Sequence, residues 1–325
     1  MFPKTTHSDI HGEDDKQMEL TLRGIHKSFE SNHVLKGFSA KNKAAFGLLG
    51  RNGSGKTTTL RIIMDIFSPD SGEVLIDGVT NKKTKVRIGY LPEERGLYPK
   101  RIVSEQMIYL GQLRGLSARD AKSDAEQLLH KLDASEYFGK RLDTLSKGNQ
   151  QKIQLAIALM GDPDIIILDE PFSGLDPVNA KTMKELVSEL VSREKMVVFS
   201  SHQMENVESF CDDICIINHG NVVLDGNLAE IKRAYPRNRI FLLPEDGDRA
   251  ALTTKLRGLE EVKRIAADIS ENRNGCVVVL KEASDKTHLL RAIADHGVGI
   301  STFEVVEPTL EEIFVEKAGD SNAAI

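Results

Sequence analysis

Gly50-Arg51-Asn52-Gly53-Ser54-Gly55-Lys56-Thr57-Thr58 is the stretch on which the fold turns. It follows the apolar run Phe46-Gly47-Leu48-Leu49 and opens a helical pattern from Thr57 to about Ile66, with apolar positions at Leu60, Ile63 and Met64. A GxxxxGK[ST] loop between a strand and a helix cradles phosphates: its glycines let backbone N–H groups turn inward around anionic oxygens, and the helix N-terminus adds partial positive charge. On this reading residues Asn52, Gly53, Ser54, Gly55, Lys56, Thr57 and Thr58 bind a nucleotide. Lys56 reaches the β- and γ-phosphates, and the Thr57 hydroxyl suits Mg2+. Chance produces such a loop in about one chain in a hundred of this length at average residue usage, and the strand–loop–helix setting lowers that further.

Downstream, Asp164-Ile165-Ile166-Ile167-Leu168-Asp169-Glu170 is an apolar strand that delivers two carboxylates at its C-terminal end. Ligands of parallel sheets bind beyond that end, where a phosphate loop also lies. By itself such a segment is most often only a strand end. Paired with the phosphate loop, it makes Asp169 a magnesium holder through water and Glu170 a general base toward an attacking water. A helix near 178–193 and a second apolar strand, Met196-Val197-Val198-Phe199, follow. Apolar strands alternating with helices indicate an α/β fold with a buried parallel sheet. Residues 18–50 read as short strands, and about 100–160 as mainly helical.

Between the two halves lies Leu145-Ser146-Lys147-Gly148-Asn149-Gln150-Gln151-Lys152. Alone it reads as a Ser-capped helix; in this order it resembles the LSGGQ signature of the ATP-binding-cassette (ABC) ATPases, with Lys147 and Asn149 departing from the commonest residues. Ser173-Gly174-Leu175-Asp176 is similar to the D-loop of that family, and Ser200-Ser201-His202 to its switch histidine, at a family-typical separation of 33 residues from Asp169. The resemblance implies that ATP is bound and hydrolysed with Mg2+. It also implies that Ser146 and Gly148 serve a nucleotide held by a second subunit, that Asp176 is a further nucleotide-binding residue, and that Lys56, Glu170 and His202 carry the catalysis. Phe29 occupies the place of the family aromatic that stacks on adenine, the bland alternative being a core phenylalanine. Ile88-Gly89-Tyr90-Leu91-Pro92-Glu93 resembles the Q-loop, whose glutamine, a neutral magnesium ligand, is Glu93 here; a carboxylate adds negative charge beside three phosphates. The run Glu93-Glu94-Arg95-Gly96-Leu97-Tyr98-Pro99 is similar to a bacterial subgroup of the family. The connection from Gly37 to Gly47 lacks the usual glycine turn, as if a hairpin were trimmed.

The implied cassette combines a mixed sheet core, an antiparallel β subdomain and a helical subdomain over residues 18–230, after a polar extension at 1–17. Residues 231–237, in a charged stretch containing Pro236, are expected to be a linker. From 238 to 318 the pattern is β-α-β-β-α-β, a small ferredoxin-like α+β unit, closed by a capping box at Thr309 and Glu312 and followed by a tail at 319–325. In that pattern Glu261-Val262-Lys263-Arg264-Ile265-Ala266-Ala267-Asp268-Ile269 is expected to be one strand. Pro308 to Val315 is similar to the C-terminal ending of exporter-type ABC ATPases, including sodium and drug efflux systems.

Composition bounds the partners. A net charge of −6 gives no electrostatic case for nucleic acid. Cys211, Cys215 and Cys276 have no metal-ligand rhythm. No apolar run approaches the ~18–20 residues of a membrane helix, so a reducing, cytoplasmic setting is expected, with membrane attachment supplied by a partner. The implied role is the ATPase subunit of an ABC transporter, most simply an exporter, working as a homodimer on separate membrane subunits that dock near residues 93–108 and the helices after them. The rival is a soluble ABC ATPase acting on ribosomes or DNA. Ribosome-acting members resemble two fused cassettes, whereas this chain has one phosphate loop, and DNA-repair members carry a long coiled-coil insertion. Glu170 and His202 argue against a non-hydrolysing binding module.

Overall fold

The computed structural model describes residues 18–322 apart from 44, 95, 194, 273 and 274; the expected N-terminal extension at 1–17 lies outside the described residues. Strands β1 (Glu19–Phe29), β2 (Asn32–Lys43) and β3 (Ala45–Leu49) lead through the phosphate loop into α1 (Lys56–Ile63). β4 (Ser71–Ile76), β5 (Val79–Thr80) and β6 (Ile88–Leu91) precede three helices, α2 (Val103–Leu113), α3 (Ala118–Lys131) and α4 (Lys147–Leu159). Then come β7 (Ile165–Asp169), α5 (Pro177–Ser192), β8 (Met196–Ser201), α6 (Met204–Glu208), β9 (Asp213–Asn218) and β10 (Asn221–Asn227).

Six strands form one sheet in the order β10-β9-β3-β8-β7-β6. β3 runs parallel to β8 and β9, and β7 parallel to β8 and β6. Every residue of β3, β7 and β8 is buried, which is why these strands read as continuous apolar runs rather than alternating ones. Their shared direction sets the loop after β3 beside Asp169 and Glu170 after β7, and beside Ser200, Ser201 and His202 after β8.

A second, antiparallel sheet has the order β2-β1-β4-β5. Its inward residues Leu20, Leu22, Ile25, Leu35 and Phe38 share one core with Phe46, Leu48, Leu60, Ile165, Ile167 and Val198. Each side chain so buried contributes about 1.5–3 kcal/mol. β1 and β2 are 11 and 12 residues long, not the short strands expected, and they stay paired through several register shifts. The stretch Gly37–Gly47, read as a trimmed hairpin, is the second half of β2 running almost directly into β3. α1 ends at Ile63, one turn short of expectation.

The helical region is tied together at the far end of α4. The Arg114 guanidinium, at the end of α2, donates to the carbonyls of Ile157, Ala158 and Met160. These carbonyls lie at the C-terminal end of the helix, so a cation there adds hydrogen bonds and complements the helix dipole.

The chain separates into two compact units that divide between Asp225 and Gly226. The first helix of the second unit is α7 (Leu228–Ala234), whose N-cap Asn227 accepts from the Ala229 and Glu230 amides and whose last turn carries Lys232 and Arg233. Much of the stretch read as linker is therefore a capped helix, ended by Pro236. It continues with β11 (Arg239–Pro244), α8 (Arg249–Gly258), α9 (Glu260–Ile265), β12 (Ala266–Asn272), β13 (Gly275–Leu280), α10 (Lys286–Asp295), β14 (Ile300–Val306) and α11 (Leu310–Asn322). The sheet order is β12-β13-β11-β14, with every neighbour antiparallel, the arrangement expected of a ferredoxin-like unit. One expected strand splits: residues 260–265 are helical, because Glu260 and Glu261 occupy the first turn and Lys263 and Arg264 the last, matching the helix dipole. The capping box forms as read, the Glu312 amide donating to Thr309 Oγ1 at 3.2 Å and the Thr309 amide to Glu312 Oε2 at 2.9 Å.

Candidate functional site

The phosphate loop is held open from below. Gly50 has φ 155°, and a Cβ there would lie 2.3 Å from the Ile217 carbonyl oxygen. Gly55 caps α1 in the left-handed region at φ 114°, and its Cβ would lie 2.7 Å from Leu35 Cδ2. Both places therefore require glycine on space and conformation together. Asn52 and Gly53 are exposed at the rim, Thr57 and Thr58 are half-buried on the first turn of α1, and Ser54 is buried.

Lys56 lies in the centre of this loop, 6% exposed. Its ammonium donates to the Gly50 carbonyl at 2.8 Å and the Arg51 carbonyl at 3.3 Å, and stands 3.5 Å from Glu170 Oε1. Glu170 is 5% exposed and adopts φ 50°, a left-handed conformation that a non-glycine residue holds only when its surroundings impose it. Two contacts to β8 impose it: the Glu170 amide donates to the Ser200 carbonyl and to Ser200 Oγ, each at 3.2 Å. On the other side His202 Nδ1 lies 2.9 Å from Glu170 Oε2. Lys56, Glu170 and His202 thus form one contiguous line.

Asp169, 1% exposed, accepts a 2.5 Å hydrogen bond from Ser200 Oγ. Its second oxygen takes only a 3.5 Å contact from the Tyr90 hydroxyl. Burial, and then the Asp169 charge, push the Tyr90 hydroxyl up to about 12, so Tyr90 is a proton donor at neutral pH. Reading the residues alone left out this supporting role of Ser200 and Tyr90. The signal was latent in the parallel pairing of β7 with β8, which sets Asp169 opposite Ser200.

The donor set fits a polyanion with a divalent cation. Two buried carboxylates face one ammonium, leaving surplus negative charge for a cation, while the loop amides and Lys56 suit phosphate. Ser54 Oγ and Glu170 Oε1 are buried without a hydrogen-bond partner among the described residues, as atoms awaiting a ligand are.

The remaining candidates lie elsewhere. Ser146 is the N-cap of α4, its Oγ accepting from the Asn149 amide at 3.3 Å. Gly148 packs so closely against α5 that a Cβ would lie 2.5 Å from Asn179 Nδ2. Asp176 caps α5, accepting from the Val178 and Asn179 amides and from Asn179 Nδ2. Ser146, Gly148 and Asp176 are thereby one cluster. Glu93 is exposed after β6 and lines a cleft with Glu94, Lys147 and the loop 173–175. Phe29 is 40% exposed, its ring edge-on to Phe67 with 5.3 Å between centroids.

The chain is similar to known proteins along most of its length. A family profile described as "ABC transporter" matches residues 36–173, and one described as "ATP-binding protein DrrA1-3-like, C-terminal domain" matches residues 226–318. The chain is 42% identical over 278 residues to an uncharacterised ABC transporter ATP-binding protein of Alkalihalophilus pseudofirmus, covering 85% of this chain and all of the relative. It is 32% identical over 313 residues to the linearmycin resistance ATP-binding protein LnrL of Bacillus subtilis, covering 92% and 98% respectively. Among solved structures, a dimeric bacterial ABC transporter cassette superposes with a TM-score of 0.60 at 24% identity, over 64% of this chain and 98% of that one.

Proposed function

Because the chain belongs to the family of ABC transporter ATP-binding proteins, which bind and hydrolyse ATP, we propose that the Lys56–Glu170–His202 line is its hydrolytic centre and that the chain powers export. The single observation that carries the site is Glu170, buried and held at φ 50° between an ammonium and an imidazole.

The chemistry follows from these groups. Lys56 exchanges its loop carbonyls for the β- and γ-phosphate oxygens and offsets their charge. Its departure frees Glu170 Oε1 to accept a proton from the attacking water, the role of a general base. His202 fixes the other carboxylate oxygen and reaches toward the γ-phosphate. Thr57 and Asp169 hold Mg2+, with Glu93 at the position of the family glutamine; when bound, the ion supplies charge neutralisation on the phosphate oxygens. Ser200 and Tyr90 keep Asp169 aimed. Phe29 offers an exposed ring to adenine, with Lys27 Nζ 5.3 Å from its centroid.

Ser146, Gly148 and Asp176 serve the nucleotide of a second copy, so the working unit is a homodimer closing around two ATP molecules. Closure would act on separate membrane subunits at the cytoplasmic face of the membrane. The exposed Tyr98, Tyr109 and Leu113 mark the surface offered to them. No described helix is long and apolar enough to cross a membrane. Export is the favoured direction because a relative that matches along nearly its whole length is a resistance protein.

Mixing tests the composite site. Ser146→Arg and Lys56→Ala homodimers should both be inactive. Equal mixing makes half the dimers mixed, each with one intact site, so about a quarter of wild-type turnover should return. A mixture as inactive as its components contradicts the shared site.

A further inference from the structure

Two charged residues stand where the family pattern has uncharged ones, and they line the same cleft. Glu93 follows β6 at the position of the family glutamine, and Lys147 opens α4 at the position of a signature glycine. Together with Glu94, Gln151 and residues 173–175 they enclose a cleft of about 390 Å³. Neither the Lys147 ammonium nor the two carboxylates is engaged in an ion pair among the described residues.

Each charge is awkward alone. A carboxylate at position 93 adds negative charge beside a triphosphate, where like charges repel. A lysine in the first turn of a helix meets the positive end of the helix dipole, and no acidic residue in the first turn of α4 offsets it. The scaffold between them is already linked. Gln154 of α4 donates to the Glu94 carbonyl at 3.3 Å, and its own Oε1 is buried with no partner. Gln151, on the same helix face, donates to the Pro171 carbonyl at 3.4 Å. One helix therefore carries the loop after β6 and the loop before α5, with Glu93 and Lys147 on the walls of one cleft.

We propose that Glu93 and Lys147 are a compensating charge pair. Lys147 is a positioning residue that neutralises the charge Glu93 brings in place of glutamine and draws the loop toward the start of α4 as the nucleotide site closes. This goes beyond the roles assigned above, which give Lys147 none.

A double-mutant cycle in the full-length chain tests the pairing with ATP and Mg2+ as the only ligands. Glu93→Gln and Lys147→Gly each restore the commoner family residue and each strand the opposite charge. Either alone should lower kcat about fivefold, the scale of a partly exposed ion pair, with KM for ATP changed less than twofold because closure follows binding. The double variant should recover to within about twofold of wild type, since both charges are then gone together. Lys147→Gln in place of Lys147→Gly must give the same pattern, which separates charge from helix flexibility. The coupling should shrink between 0.05 and 0.5 M salt, where the Debye length falls to a few ångströms, about 4 Å. Losses that multiply in the double variant overturn the pairing. So does a Glu93→Gln variant that turns over like wild type, or recovery that is indifferent to salt.

Discussion

Ser200→Ala removes one oxygen and isolates the contact on which the aim of Asp169 depends. The hydroxyl donates to Asp169 Oδ1 at 2.5 Å and accepts from the Glu170 amide at 3.2 Å. The amide keeps its second acceptor, the Ser200 carbonyl, so the orphaned atom is Asp169 Oδ1. Asp169 is only 1% exposed and Ser200 is fully buried, so bulk water does not replace the lost donor. A hydrogen bond to a charged group contributes about 1.5–3 kcal/mol; taking about 2 kcal/mol, the cost is a factor of about 30 in an equilibrium constant. For a cassette of about 200 residues, unfolding entropy near 0.4 kcal/mol/K turns this into a melting temperature about 5 °C lower. Ser201→Ala is the control: its hydroxyl reaches Glu170 Oε2 only at 3.4 Å and otherwise accepts the Gln203 amide, so its loss should cost less than about 1 kcal/mol. Calorimetry of the three proteins without nucleotide, and Mg2+ titration of their ATPase, provide the two readouts. A Ser200→Ala protein with wild-type melting and wild-type magnesium dependence would refute the reasoning.

His202→Ala should reduce kcat about 10²-fold while moving KM for ATP less than threefold, because the imidazole touches Glu170 and not the loop that binds the phosphates; an equal loss in kcat/KM carried by KM would place it in binding instead. The Asp176 carboxyl is held below its ordinary value by the Asn179 amide, then by the Asn179 side chain. Its folded value is depressed, so the stability it gives is present above its unfolded value of about 3.9 and is lost as the pH falls through the lowered folded value. The melting difference between wild type and Asp176→Ala should therefore be full at pH 7 and shrink as the pH falls below the unfolded value; a pH-independent difference would mean that charge has no part in the cap.

The proposed catalytic line was legible because its parts are covalently close to elements with strong patterns. Gly50–Thr58 sits between an apolar strand and a helix, and Asp169–Glu170 ends an apolar run. Only pairing of strands far apart in sequence could join them, and the parallel register of β3, β8 and β7 does so. What could not be read was tertiary: Ser200 under Asp169, Tyr90 behind it, and the left-handed Glu170. Within the second unit, two errors share a cause. Residues 228–234 and 260–265 are short charged segments with weak apolar periodicity, and their helicity comes from Asn227 as a cap and from end charges matched to the dipole, signals easily outweighed by a nearby proline or a run of β-branched residues. The capping box at Thr309 and Glu312, a purely local device, needed nothing from the rest of the fold.

The central claim is that Glu170 is the base of an ATP-hydrolysing centre shared by two chains. Glu170→Gln keeps the size of the side chain and removes its basicity, so one protein, examined with Mg2+ and ATP by turnover assay and sedimentation velocity in parallel, tests both halves. Turnover should fall by about 10²–10⁴-fold, and the chain should sediment as a stable dimer with ATP and as a monomer without it. Wild-type turnover in this variant, or a monomer that persists at saturating ATP, would contradict the account.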